Sequence, residues 1–174
     1  FELPVQQLAG IVGFLTYYEY TGDLAFIEKV YDASLDYLKL WKIGENNLVV
    51  HREGSWDWAD WGKKADMTAI ENAWYYYALS TVEEMAKILE NNNDIPFITE
   101  RKEALSKGYQ SLWTENGFKS ENAKKPDDRA NALAALPGLA TKEQYATIKN
   151  ALTTTQNSSP YMEYYVLEAL CKMG

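Results

Sequence analysis

Between two glycines the chain reads Gly54-Ser55-Trp56-Asp57-Trp58-Ala59-Asp60-Trp61-Gly62, three indoles and two carboxylates in six consecutive positions. Indoles pair a large apolar face with one polar N–H, which suits the apolar faces and hydroxyl rims of pyranose rings. Carboxylates accept hydrogen bonds from hydroxyl pairs, and glycines let a backbone turn tightly against a ligand. Paired carboxylates are also the apparatus of glycoside hydrolysis, one protonating the leaving oxygen and the other activating water or attacking the anomeric carbon. Asp57 and Asp60 are therefore the candidate catalytic pair, and Trp56, Trp58 and Trp61 candidate substrate-binding residues. The two acids would share a face in a helical turn and oppose each other in an extended one. Spacing leaves retention (carboxyls about 5–5.5 Å apart) and inversion (about 6.5–9.5 Å) both open. The alternative is structural, with indoles plugging a core and acids capping the next helix.

Further candidates lie downstream. Asp128 and Arg129, in Asp127-Asp128-Arg129, would point from a helix start and bind sugar hydroxyls; the alternative is a capped helix with an exposed arginine. Tyr161 would do the same beside Ser159-Pro160, and Glu163 follows near the same helix start, where the helix dipole alone would also favour an acid. Glu71 opens the run Glu71-Asn72-Ala73-Trp74-Tyr75-Tyr76-Tyr77, read mainly as core. His51, the one histidine, lies apart from any acid or cysteine motif and receives no role. With one histidine and one cysteine, Cys171, no intrachain disulfide, no cysteine-rich zinc site and no other metal centre is expected, and no cofactor.

The elements that must position these residues are helical. Apolar residues recur at three- and four-residue steps from Leu3 to Tyr20 and again from Asp23 to about Trp41. Gly22 suits the position past a helix end, and Asp23 suits an N-cap. Gly44 to Lys64 reads as a long loop with a strand-like turn at Leu48-Val49-Val50, and loops of that length inside a compact domain are usually functional. Further helices are expected from Asp66 or Thr68 to about Asn91, from Phe97 to Trp113 after a break at Ile95-Pro96, and from Asp127 or Asp128 to about Pro137-Gly138. Phe118 to Lys125 reads as a polar excursion. A sixth helix starts at Thr141-Lys142-Glu143, one residue short of a capping box, and a seventh at Pro160. The prediction is an all-α fold of about seven helices in αα-hairpins, occupying residues 1–174 as a single domain. No solenoid repeat is visible, and irregular loops between hairpins point to a toroid.

Composition narrows the partners. A net charge of −8 on 174 residues, with no basic stripe, argues against nucleic acid and against an anionic membrane surface. No run of about 18 apolar residues exists to span a bilayer. The chain opens Phe1-Glu2-Leu3-Pro4 with neither an initiator Met nor a signal peptide, and reads as an excised segment.

The Gly54–Gly62 run resembles the Asp-Trp-rich loop of the bacterial α-L-rhamnosidase six-hairpin domain. Pro4-Val5-Gln6-Gln7 and Tyr18-Glu19-Tyr20-Thr21-Gly22-Asp23 are similar to one of that family's helix pairs. Asp127 to Ala134 and Ser158 to Leu170 fit it too, in the same order. The resemblance implies part of an (α/α)6 toroid whose parent hydrolyses terminal α-L-rhamnosides, a rhamnose-containing glycan being the partner. It is compatible with a periplasmic or extracellular parent. In the family the general acid lies on an Asp-Cys-Pro-type motif and the base follows a segment like the last helix here. Neither motif occurs in this chain, so the resemblance implies a pocket wall that is inactive alone. A non-catalytic carbohydrate-binding or scaffold module, or another α/α-toroid glycosidase, stays open. Half a toroid would leave an uncovered helix layer, so a homo-oligomer is expected.

Overall fold

The computed structural model describes residues 2–62 and 65–174, in seven α-helices and one very short hairpin. The helices are α1 (Pro4–Thr21), α2 (Leu24–Lys39), α3 (Met67–Ile88), α4 (Ile95–Gln110), α5 (Asp128–Ala135), α6 (Tyr145–Thr155) and α7 (Pro160–Met173). The last two positions of the loop expected over 44–64, Lys63 and Lys64, lie outside the described residues, as does Phe1.

Local chemistry sets most boundaries. Gly22 ends α1 in the left-handed region at φ 69°, its N–H donating to the Tyr18 carbonyl at 2.7 Å. Asp23 caps α2 by accepting from the Phe26 N–H, and Asp66 caps α3 by accepting from that of Ala69. Two expectations need correction. Ile95-Pro96 opens α4 instead of breaking the chain before it, because a proline in the first turn lacks only an N–H that would have no intrahelical partner. That helix stops at Gln110, and the chain then forms an antiparallel hairpin of β1 (Trp113–Thr114) and β2 (Gly117–Phe118). Asn131 of α5 holds β2 like a third strand: its side-chain amide bonds both the N–H and the C=O of Phe118 at 2.9 Å. Before α6 a short 3₁₀ turn starts at Thr141, where Glu143 falls one residue short of a capping box; Gln144 fills that position, its Oε1 accepting from the Thr141 N–H at 2.9 Å.

The central element is α3. Its 22 residues are buried on nearly every side, with Ala69, Ile70, Ala73, Trp74, Tyr75, Ala78, Leu79 and Val82 closed to solvent. A helix apolar all round belongs inside a double layer. Helices α1, α3, α5 and α7 form that inner row, with α3 packed on α1 and α5, and α5 packed on α7. The outer helices α2, α4 and α6 each back onto an inner neighbour, α3 for the first two and α5 for α6. Inner helices therefore run the same way, and the segments leading into them gather at one end: 40–66 before α3, 111–127 before α5 and 156–159 before α7. Among the described residues, no helix is long and apolar enough to cross a membrane.

Candidate functional site

The loop before α3 is pinned at both ends. Near its start, Ile43 and Val49 form an isolated antiparallel bridge, and Asn72 of α3 accepts from the Val49 N–H at 2.8 Å. Further on, Ser55 N–H donates to the Glu2 carbonyl, and Arg52 grips the Glu2 carboxylate through Nε at 2.9 Å and Nη2 at 3.2 Å. The Arg52 guanidinium, with the Tyr37 hydroxyl, holds Glu2 below the ordinary carboxylate range. Gly54 is needed for this contact, since a Cβ there would lie 2.3 Å from Pro4 Cδ.

Asp60 fastens the far end of the loop to α5 and α7. Its side chain is buried, Oδ2 accepts from the Ser159 N–H at 2.8 Å, and Oδ1 accepts from the Ser159 hydroxyl. Arg129 Nη1 approaches Oδ2 at 3.5 Å. The same guanidinium makes a two-pronged pair with Asp127, Nε to Oδ1 at 2.8 Å and Nη2 to Oδ2 at 2.7 Å. Burial pulls the Arg129 pKa down, but the Asp127 bonds and three nearby carboxylates outweigh it and leave it raised. Asp127 also accepts from the Asp66 N–H, whose own Oδ2 takes the Ser120 N–H at 2.7 Å. Each acid in this network is met by donors, as buried charge requires.

Asp128 faces away from Arg129's two partners. Its Oδ2 accepts from the N–H groups of Asn157 and Ser158 at 2.8 and 3.0 Å and lies 2.9 Å from the Ser158 hydroxyl. That hydroxyl is also 2.8 Å from Glu163 Oε2. It has one proton, so it donates to one of the two carboxylates at a time. Asp128 and Arg129 were expected to reach sugar hydroxyls; both are fully buried, Arg129 bound to Asp127 and Asp60 and Asp128 bound through Oδ2 to Asn157 and Ser158, with Asp128 Oδ1 left without a partner among the described residues.

The rings form a connected group above the network. Trp58 and Trp61 meet edge to face at 5.4 Å, and Trp56 lies 6.3 and 6.5 Å from them. Trp58 also packs on Tyr161 of α7 at 5.6 Å, from which contacts continue through Tyr165 to Trp74 in the core. The ladder runs from buried to exposed: Trp74 is closed to solvent, Trp58 half-buried, and Trp56 and Trp61 are 51% and 64% exposed. Burial, chiefly, raises the Tyr161 hydroxyl's pKa. A cleft of about 650 Å³, walled by Asp66, Thr68, Ser120, Lys124, Lys125 and Asn157, borders the buried network at Asp66 and Asp127 and includes none of the indoles.

Of the candidate acids, Asp57 and Glu163 keep access to solvent. Asp57 has one protein partner among the described residues, His51, whose Nε2 lies 3.2 Å from Oδ2. The other imidazole nitrogen, Nδ1, lies 2.9 Å from Glu71 Oε2. The hydrogen bond to Glu71 raises the His51 pKa, aided by Asp57, while burial raises that of Glu71. The structure thus joins Asp57 to two residues that the sequence left without a role. The signal available was the aromatic run after Glu71, an acid on a helix buried all round, which needs a partner.

Residues 7–162 match the family described as the bacterial α-L-rhamnosidase six-hairpin glycosidase domain. A solved structure similar to the chain is that of a GH78 family rhamnosidase of Bacillus sp. GL1. The two share 20% sequence identity with a TM-score of 0.79, over 97% of this chain and 20% of that one. The chain thus spans a fifth of the length of that protein. No curated protein matches it.

Proposed function

The chain belongs to the bacterial α-L-rhamnosidase six-hairpin glycosidase domain family, and from that premise we propose that it supplies one wall of the sugar site of an enzyme acting on terminal α-L-rhamnosides. The observation that carries this reading is the graded aromatic ladder, anchored at Trp74 and opening to solvent at Trp56 and Trp61. Exposed, mutually braced indoles offer faces for a pyranose ring at little entropic cost. Asp57, half-exposed beside them, accepts from sugar hydroxyls.

In the same reading, Asp60, Asp127, Asp128 and Arg129 hold the wall in place. Hydrolysis needs one carboxyl group to protonate the leaving oxygen and another to activate water or attack. Asp60 and Asp127 are buried and bound on both oxygens, so neither has a free oxygen to exchange a proton with substrate. Of the candidate pair only Asp57 keeps a free oxygen, which leaves no second carboxylate to complete it; we infer that the principal acid and base are carried by residues outside these 174 and that this chain alone binds without turning over. The test is release of rhamnose from an aryl α-L-rhamnoside by the full protein and by the isolated chain. Turnover by the full protein alone fits the proposal; turnover by the isolated chain overturns its division of labour. Binding of glycans without hydrolysis of any rhamnoside by the full protein would favour a non-catalytic carbohydrate-binding module.

A further inference from the structure

His51 sits between two carboxylates from different parts of the fold. Glu71 comes from the second turn of α3 and has a side chain only 4% exposed, while Asp57 comes from the Trp loop and is 50% exposed. A neutral imidazole has one N–H and one lone pair, so against two carboxylates one nitrogen would face an acceptor with nothing to donate. The cation has two N–H groups and satisfies both. The contacts at 2.9 and 3.2 Å are those an imidazolium bridging two carboxylates would make.

Its position gives the bridge a purpose. Among the described residues, Asp57 has no other hydrogen-bonded partner, and its Oδ1 has none. Around it the loop is tied by Ser55 to Glu2 on one side and by Asp60 to Ser159 on the other. Between those anchors, the route from the Asp57 carboxylate to the rigid inner helix α3 runs through His51 and Glu71.

We propose that His51 is a positioning residue, its imidazolium tying the Asp57 carboxylate to buried Glu71 so that Asp57 Oδ1 stays presented beside Trp56 and Trp58 for a sugar hydroxyl. This rests on the reading of the loop as a sugar-binding wall. The bridge is also proton-linked. Glu71 faces His51 from α3 and Asp57 faces it from its own loop, and both favour the cation. When the imidazolium loses its proton, the N–H that stays goes to the shorter, buried contact with Glu71. Nε2 then turns a lone pair on Asp57, and the carboxylate is released. Sugar affinity falls as pH rises through the His51 titration.

The chain has a single histidine, so its Cε1–H NMR signal reports His51 without assignment. The expected midpoint lies above the ordinary histidine value of about 6.5, and Asp57→Asn and Glu71→Gln each lower it. Binding of methyl α-L-rhamnoside, followed by tryptophan fluorescence, weakens with the same midpoint. His51→Gln lowers affinity about tenfold at pH 6, as loss of one charge-assisted bond predicts, and removes the pH dependence. Circular dichroism checks that each variant stays folded, and Glu71→Gln, which removes the anchor and leaves Asp57 intact, supplies the comparison if His51→Gln does not fold. A His51 midpoint unmoved by Asp57→Asn and Glu71→Gln overturns the bridge. A coupled midpoint with pH-independent binding, or with wild-type affinity in His51→Gln, overturns the positioning role. Absence of saturable binding in every variant overturns the sugar-wall reading and the positioning role with it; a still-coupled midpoint then locates the error in the ligand class.

Discussion

Replacing Arg129 with methionine should destabilise the domain severely, through stranded charge more than lost volume. The arginine side chain is fully buried, as is that of Asp60, and Asp127 is 3% exposed. The substitution removes both prongs to Asp127, at 2.8 and 2.7 Å, and the 3.5 Å contact to Asp60. Breaking a buried ion pair from one side costs about 3–5 kcal/mol. Here the stranded acids keep some donors, Asp127 the N–H groups of Asp66 and Arg129, and Asp60 those of Ser159. The lower end, about 3 kcal/mol, is the expectation. At about 2–4 °C per kcal/mol for a domain of this size, Tm should fall by about 6–12 °C. Thermal unfolding followed by circular dichroism measures it. Adding Asp127→Asn to Arg129→Met removes one stranded charge while keeping a carbonyl acceptor, and should recover about 1–2 kcal/mol. An Arg129→Met variant within about 1 kcal/mol of wild type, or a double variant less stable than the single, would refute the charge argument.

Gly54→Ala places a Cβ 2.3 Å from Pro4 Cδ and 2.8 Å from the Glu2 carbonyl. It should cost about 1–3 kcal/mol, read by denaturant titration, and an unchanged midpoint would count against the close approach. The His51 bridge also predicts a pH trend in stability. His51 has a raised folded pKa, so its stabilisation is present in full below the unfolded value of about 6.5 and is lost as pH rises through the folded value. Glu71, raised by burial, binds its proton more tightly when folded and acts in the same direction from about pH 4.5 upward. The Tm advantage of wild type over His51→Gln should therefore shrink as pH rises above about 6.5; an advantage that grows with pH contradicts the sign. Finally, Tyr20 at the end of α1 is 86% exposed, and Tyr164 and Leu167 on α7 are 52% and 54% exposed. We expect self-association through this layer, and a monomer by light scattering at high concentration would exclude it.

The helices were legible because their signals are local. Pro, Gly and Asp at the ends, with three- and four-residue apolar steps between them, placed α1 and α3 to within a few residues and the start of α7 at Pro160. The α2 stripe ran on to Trp41 although the helix ends at Lys39, since Trp41 packs on Tyr75 at 5.5 Å after the chain leaves the helix. The small hairpin was not legible, as its stability comes from Asn131, 13 residues beyond Phe118. The same limit applies to the site. The Trp loop announces itself by composition, but the roles of its acids depend on distant chain. Asp60 is set by Ser159, 99 positions away, and Asp57 by His51 and, through it, by Glu71. Asp-Asp-Arg at a helix start reads equally as a cap or a ligand set. Only the fold of 156–159 over Asp128, and of the Trp loop over Arg129, decides that both are buried.

The central claim is that the indole ladder is a rhamnoside-binding wall. Its most direct test is titration of the chain with methyl α-L-rhamnoside, with fluorescence as readout, in wild type and in Trp61→Ala. Trp61 is the most exposed ring of the cluster and the least involved in the core, so its removal should leave the fold intact. The account predicts saturable binding by wild type and a loss of about two- to tenfold in the variant, as removal of one stacking ring implies. No saturable response from wild type, or equal affinity in the two proteins, would contradict it.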